Sequence, residues 1–437
     1  MRLLSGIPSL GAAPMLLRSY TARIFLVFLL LYLLLVQYAR TRCYRDPTSV
    51  FFDAERGYRP AYSAVRTEQA NSFIEQVNSG QITPYKASDN PSLCVGVATI
   101  ARNGARYFKT AVGSLLENLS ESERAELHLI LFIAHSDPHQ HPAYEEKWLH
   151  EVADTVLLYN WDEVDKARIV ELEQDHNKIS GREKGLFDYT YLLKACYAVN
   201  ASHVVMLEDD VVALDGWLHR AQRALDTAAR QTAERGASNY LYLRMFYTEE
   251  FLGWNSEEWP AYLFYSVLAV AAVGASLLGT RHYFPSTKRF IPDETILLLC
   301  TVCTPLLIIL FFAAGRVTML PIPAGVNEMP KFGCCSQGFI FPQSRVPDLI
   351  QWYESKHIGY VDMLTEEYAD QNREIRWAIT PTLLQHVGSK SSKGDDFTTR
   401  PKYHRSMSER LWSFAFETND ADALRAEHDE QRQLEVR

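Results

Sequence analysis

Cysteine is scarce in this chain, with seven in 437 residues, too few for a fold held together by a disulfide framework. Basic residues are not in excess. Lys and Arg total 44 against 53 Asp and Glu, a formal charge of −9, which argues against a nucleic-acid binder with its usual basic face. No Gly-rich dinucleotide loop, Gly-Lys-Ser phosphate loop, nucleophile elbow or HExxH motif occurs. Dehydrogenase, NTPase, hydrolase and zinc-protease readings therefore lack their signatures. A composition of 47 % hydrophobic and 22 % charged residues excludes a collagen-like or wholly disordered chain.

The apolar residues are unevenly spread. One run covers Ile24 to Val36, a second Ala261 to Gly279 and a third Thr295 to Gly315, the last two without a charge. A membrane span needs about 20 predominantly apolar residues. The first run reaches that length from Tyr20 to Ala39, with Arg23 snorkelling from one end. No small-x-small cleavage site follows it, and Arg40, Arg42 and Arg45 come at once, so it reads as an uncleaved signal anchor. A buried core helix explains one such run but hardly two long ones separated by a short loop. That loop carries Arg281, His282, Lys288 and Arg289 against Asp293 and Glu294, which places it in the cytosol. Arg2, Arg18 and Arg23 balance the arginines after the first span, so the hairpin settles the orientation. Pro305 is placed to kink the third span, and Gly274 and Gly279 permit close helix contact.

The expected order is a cytosolic N-terminus (1–19), a signal anchor (20–39) and a lumenal stem (40–90) with a helix over Ala61–Val77. The first part of an α/β domain (91–260) comes next, then a span (261–279), a cytosolic loop (280–294) and a span (295–315). The second part of the domain (316–418) and a mobile polar tail (419–437) follow. Within the domain, Cys94–Ile100, Leu127–Ala134, Asp154–Tyr159 and Val204–Leu207 read as strands. Helices are expected over Tyr107–Leu119 and Phe187–Val199, and Leu411–Phe416 is a possible edge strand. Strands alternating with helices predict a mostly parallel sheet flanked by helices.

The strand Val204–Leu207 runs directly into Glu208-Asp209-Asp210. Ligands bind at the carboxyl ends of strands in such sheets, and crowded carboxylates call for a cation there. Mn²⁺ and Mg²⁺ take carboxylate oxygens and bridge to phosphates. An acidic turn capping the helix from Trp217 is the plainer alternative. Lys184 and Asp188 lie in the preceding helix region, and Asp362 reads most simply as a helix N-cap. His386 follows an apolar pair. The sequons at Asn118 and Asn200 are compatible with a lumenal domain.

The segments CGVATIARNGARYFKTAVGSLLENLSESE, LHLILFIA, YLLKACYAVNASHVVMLEDDV and ITPTLLQHVGSKSS resemble nucleotide-sugar-dependent glycosyltransferases of the GT-A fold. They are similar to the class IV branching N-acetylglucosaminyltransferases. The hairpin set between the acidic motif and Gln385-His-Val-Gly388 narrows the resemblance. It points to the post-GPI-attachment GalNAc-transferase family, Golgi membrane enzymes that add a GalNAc side chain to glycosylphosphatidylinositol (GPI).

The resemblance implies a GT-A fold interrupted by a transmembrane hairpin, with three transmembrane helices in total. It implies Mn²⁺ on Asp210, with Asp209 in support and His386 near the metal. Glu208, Asp209, Thr99, Arg102, Lys184, Asp188 and His386 are expected around the donor UDP-GalNAc, with Asp362 as catalytic base. Lys390 receives no role. Transfer would invert the donor to a β linkage on the first mannose of GPI, beside a lipid bilayer and without nucleic acid. Nothing in the sequence sets the oligomeric state. The alternatives are a GT-A N-acetylglucosaminyltransferase acting on N-glycans or another membrane-linked glycan, and a catalytically silent scaffold. The hairpin would raise the effective concentration of a membrane-bound acceptor. Cys43, Cys94, Cys196, Cys334 and Cys335 would be lumenal, with adjacent Cys334 and Cys335 paired to different partners.

Overall fold

A computed structural model describes residues 19–102, 106–175, 177–329, 335–389 and 402–435. Arg2, Arg18, Cys334 and Lys390 lie outside the described residues. The chain forms two compact units, one of residues 1–58 with 252–321, the other of 59–251 with 322–437.

The first unit holds three helices long and apolar enough to cross a membrane. They are Tyr20–Arg42, Trp259–Tyr283 and a third running from Asp293 to Ala313. The third is regular over Asp293–Leu298 and Thr304–Ala313 but widens to a π-turn over Leu299–Cys303. Pro305 has no N–H to give to the preceding turn, and Thr304 Oγ1 donates to Leu299 O at 2.8 Å. The kink expected at Pro305 thus takes the form of a π-turn. Gly274 does sit at a close approach, since a Cβ there would lie 3.4 Å from Cys300 Sγ; Gly279 has nothing within 4 Å.

Thr21 and Thr295 share a hydrogen bond of 2.8 Å, and Tyr20 meets Phe290 edge-on. At the opposite end Val50 N donates to Ala313 O at 2.9 Å, beside the packed Ala39, Cys43 and Ala314. The start of the first span and the hairpin loop therefore share one end of the unit.

Among the described residues the second unit is built on ten strands: β1 Leu93–Thr99, β2 Leu127–Ile133, β3 Thr155–Leu157, β4 His203–Glu208, β5 Val211–Ala213, β6 Tyr242–Arg244, β7 Gly325–Glu328, β8 Gly338–Pro342, β9 Arg376–Thr380 and β10 Leu384–His386. Eight form one sheet in the order β3-β2-β1-β4-β8-β6-β9-β7. β3, β2, β1 and β4 are parallel, but β8 is antiparallel to both neighbours and β7 to β9. β6 and β9 pair in parallel, so six of the eight strands run one way and only β8 and β7 oppose them. The sheet is mostly parallel, as expected. The two reversed strands are not legible because strands buried on both faces read as apolar runs that do not encode direction.

Side chains alternate along each strand between two cores. Val95, Val97, Leu129 and Leu131 enter one, and Cys94, Ile130 and Phe132 the other. Helices cover both faces, completing the α/β architecture expected of a GT-A fold. Cys94 and Cys196 form a disulfide that joins β1 to the helix Lys178–Ala198. Cys335 is also disulfide-bonded.

Three local expectations are corrected and one, the stem helix, is found in place. The helix expected from Phe187 starts at Lys178, capped by the Asn177 side chain, so Asp188 lies in its interior. The helix expected in the stem is found over Tyr62–Asn78, with its Ala70, Ile74 and Val77 fully buried. Its Arg66 is buried too, donating to Ala213 O, Ser114 O and Glu117 Oε2. The tail is a helix, Ala421–Glu435, with Leu424 and His428 buried. Residues 411–416 form no strand. They are an irregular segment held by Glu249, which accepts from Phe414 N and Ala415 N at 2.9 Å each.

Of the two sequons, Asn118 spends its amide internally, donating to Asp215 Oδ1 at 3.3 Å and accepting from Arg432 at 3.0 Å, while Asn200 is exposed.

Candidate active site

β1 and β4 lie side by side and end together, with Ala98 opposite Glu208. Their C-terminal ends bring Thr99, Arg102 and the acidic triplet into one place. Thr99 Oγ1 donates to Asp209 Oδ2 at 2.6 Å, and Arg102 Nη2 donates to Asp209 Oδ1 at 2.6 Å. Arg102 also stands 3.6 Å from Asp210 Oδ2. Both carboxylates are buried. Burial and the neighbouring Asp210 push Asp209 up to about 6, against the pull of Arg102.

After Asp210 the chain continues as β5, which pairs antiparallel with β10 so that His386 faces Val211 across the ladder. Val387 N donates to Asp210 O at 2.8 Å, fixing the register. His386 Nε2 then lies 3.5 Å from Asp210 Oδ2. Burial opposes a charge on His386, but Asp210 outweighs it and raises the imidazole pKa.

Gly388 completes the contact. A Cβ there would fall inside contact distance of Asp210 Oδ2 and 2.9 Å from His386 Nε2, so only glycine leaves the carboxylate its place. Gln385, from the same motif, faces away from the acids and binds the C-terminal segment through Ser413 O, Ser413 N and Glu417 Oε1.

Glu208 accepts from Ser336 Oγ at 2.5 Å and Gln337 Nε2 at 3.2 Å. One residue earlier, Cys335 N donates to Asp362 Oδ2 at 3.2 Å. The segment 335–337 thus bridges Glu208 and Asp362. Asp362 is not the N-cap, which is Tyr360; it sits in the first turn of the helix Val361–Asn372 and is partly exposed.

Lys184 and Asp188 are close to this site but turned on each other. Lys184 Nζ donates to Asp188 Oδ2 and Ala134 O at 2.8 Å and to Tyr159 OH at 3.0 Å. Tyr159 OH donates to Asp188 Oδ1 at 2.5 Å. Ala134 N in turn donates to Thr99 O at 3.0 Å, so the buried cluster braces the end of β1 from behind.

His141 was not singled out in the sequence. Its Nδ1 accepts from Ala143 N at 3.2 Å, and its Nε2 lies 3.1 Å from Thr99 Oγ1. Burial, His135 and Arg102 push its pKa down to about 4, so the ring is neutral with its proton on Nε2. It donates to the Thr99 oxygen and leaves the hydroxyl proton for Asp209. His141 sits in a His-Pro loop with no motif around it. Thr99, Arg102, Tyr107, His141, Glu146 and Asp209 line a cleft at this point.

Two buried carboxylates and an imidazole form a donor set suited to a hard or borderline divalent cation. A separate group of metal-ligating side chains, Glu123, His219 and His428, is gathered elsewhere in the unit.

A family model described as GPI-N-acetylgalactosamine transferase PGAP4 matches residues 93–385, about two thirds of the chain, running from β1 through the membrane hairpin into β10. Comparison with curated proteins gives no match.

Proposed function

The chain belongs to the GPI-N-acetylgalactosamine transferase family, and from that premise we propose how its residues divide the work and which donor they take. It is a multi-pass Golgi membrane enzyme, a metal-dependent glycosyltransferase that transfers N-acetylgalactosamine to GPI. On our reading the donor is UDP-GalNAc, the resident cation is Mn²⁺, and transfer proceeds with inversion to give a β linkage on the first mannose. The start of the first span and the hairpin loop face the cytosol, and the catalytic unit faces the lumen.

Asp210 and His386 would hold the cation, with His386 first giving up its proton, and Asp209 supports them from its fixed place on Thr99 and Arg102. When bound, Mn²⁺ supplies the positive charge that stabilises the departing diphosphate. Glu208 is assigned to the nucleoside side of the donor, and Thr99 and Arg102 set the edge of that pocket. Asp362 is assigned as the base that takes the acceptor hydroxyl's proton as its oxygen attacks the anomeric carbon. Lys184 and Asp188 satisfy each other, so we assign them the support of the donor pocket rather than contact with the donor.

The observation that carries this reading is the convergence on Asp210 of Arg102 and His386, residues far apart in the chain, with a glycine leaving them room. The test is a donor screen with the purified full chain, Mn²⁺ and a GPI acceptor. UDP-GalNAc should be used and UDP-GlcNAc should not. Asp210→Ala should lower transfer by about 10²-fold or more while the protein stays folded. Full activity of a well-folded Asp210→Ala protein sinks the metal assignment. Asp362→Asn should lower turnover by a similar factor with donor binding retained; loss of donor binding instead would move Asp362 out of the base role.

A further inference from the structure

Glu123, His219 and His428 share no residue with the donor site. Glu123 belongs to the short helix Glu121–Ala125, His219 to the first turn of Trp217–Glu234, and His428 to the C-terminal helix Ala421–Glu435. One ligand atom from each lies within 4.8 Å of the other two. The side chains are 5 %, 5 % and 1 % exposed.

His428 is held on both sides. Its Nε2 lies 2.7 Å from Glu123 Oε1 and its Nδ1 2.7 Å from Asp215 Oδ1. Asp215 is itself anchored by Arg425 Nε at 2.6 Å. A carboxylate on the far ring nitrogen is the arrangement that orients a metal-binding histidine. An ion triad alone would account for His428, Glu123 and Asp215. It does not account for His219, whose ring centroid is 5.5 Å from that of His428. Among the described residues neither nitrogen of His219 has a hydrogen-bond partner. The ring is buried with its hydrogen-bonding capacity unused. The backbone is shaped to seat it: Gly216 has φ = 70°, and a Cβ there would lie 3.0 Å from His219 Nδ1.

We infer that Glu123, His219 and His428, the last releasing its Nε2 proton to solvent while Nδ1–H stays on Asp215, bind a structural Zn²⁺ ion that pins the C-terminal helix to the body of the catalytic unit. Two imidazoles and one carboxylate are a common zinc set, and the imidazoles favour zinc over the hard cations of a diphosphate site. The fourth position falls to water. With all three ligands buried a substrate has no approach, so the ion's role is structural.

The inference stands apart from the metal at Asp210, and its test separates the two. Full-length protein purified in detergent should carry one zinc per chain by elemental analysis. Asp210→Ala should keep it and His219→Ala should lose it. Co²⁺ exchanged into the Asp210→Ala protein should give the visible absorption of a four-coordinate site, and that absorption should vanish when His219→Ala is added. In the wild type a zinc chelator should lower the melting temperature and ZnCl₂ should restore it. A folded wild-type protein that carries no zinc, and whose melting temperature is indifferent to chelator and to ZnCl₂, overturns the inference.

Discussion

At Gly388 a single methyl group decides whether Asp210 keeps its position. Gly388→Ala places a carbon inside contact distance of Asp210 Oδ2 and against His386 Nε2. A small backbone shift at Gly388 can absorb part of the overlap, at a cost to stability of about 1–3 kcal/mol. The carboxylate and imidazole cannot both hold their geometry, so transfer should drop by about 10²-fold, more than the loss of stability alone implies. Parallel measurement of transfer rate and melting temperature checks this. Glu208-Asp209-Asp210 was legible in the sequence because three acids directly behind an apolar strand crowd charge at a strand end, and Gln385-His386-Val387-Gly388 because it carries the family resemblance. What was not legible is what each residue is bound to. Lys184 and Asp188 look like free charges in a row of letters, yet one turn of helix lets them satisfy each other. His141 and His219 have no surrounding pattern at all, since their neighbours arrive from distant segments.

Elements were legible where burial is symmetrical and illegible where a charge sits among apolar positions. β1, β2 and β4 show as short, mostly apolar runs. The helix Tyr62–Asn78 shows by its spacing, but the depth of its burial does not, because Arg66 falls on the same stripe as Tyr62, Ala70, Ile74 and Val77 and makes a buried face look polar. Arg66 is tolerated there only because Glu117 and two carbonyls meet it. The C-terminal helix was read as a mobile tail because its buried face rests on Leu424 and a polar group, His428, set in a charge-rich stretch. Between elements, the Cys94–Cys196 disulfide closes a sequence separation of 102 residues and ties β1 to the helix behind it. Replacing both cysteines with serine should cost about 2–5 kcal/mol. Denaturant unfolding of the purified variant gives the figure, and an unchanged midpoint would show that the packing of Leu192 and Leu193 alone secures this helix.

At the scale of the whole molecule, the composition of an ordinary soluble chain conceals three apolar helices, and the hairpin was legible from length and charge alone. Its effect on the sheet was not. β8 lies between β4 and β6, both of which precede the hairpin in the chain, whereas β8 follows it. A chain ended at residue 321 keeps Asp209 and Asp210 but lacks β7 to β10 and the whole of the His386 motif. Residues 59–251 of that truncated protein should be open to limited proteolysis under conditions where the full chain resists.

The same strand order has a consequence for biogenesis. During synthesis β4 and β6 wait with bare edges while two spans are threaded into the bilayer, and such edges invite mispairing. Only a hairpin that crosses the membrane twice returns β8 to the compartment where its slot lies open. A chain that fails to insert one of those spans strands β8 on the wrong side, and the sheet is left broken between β4 and β6. Completion of the central sheet therefore depends on correct membrane topology.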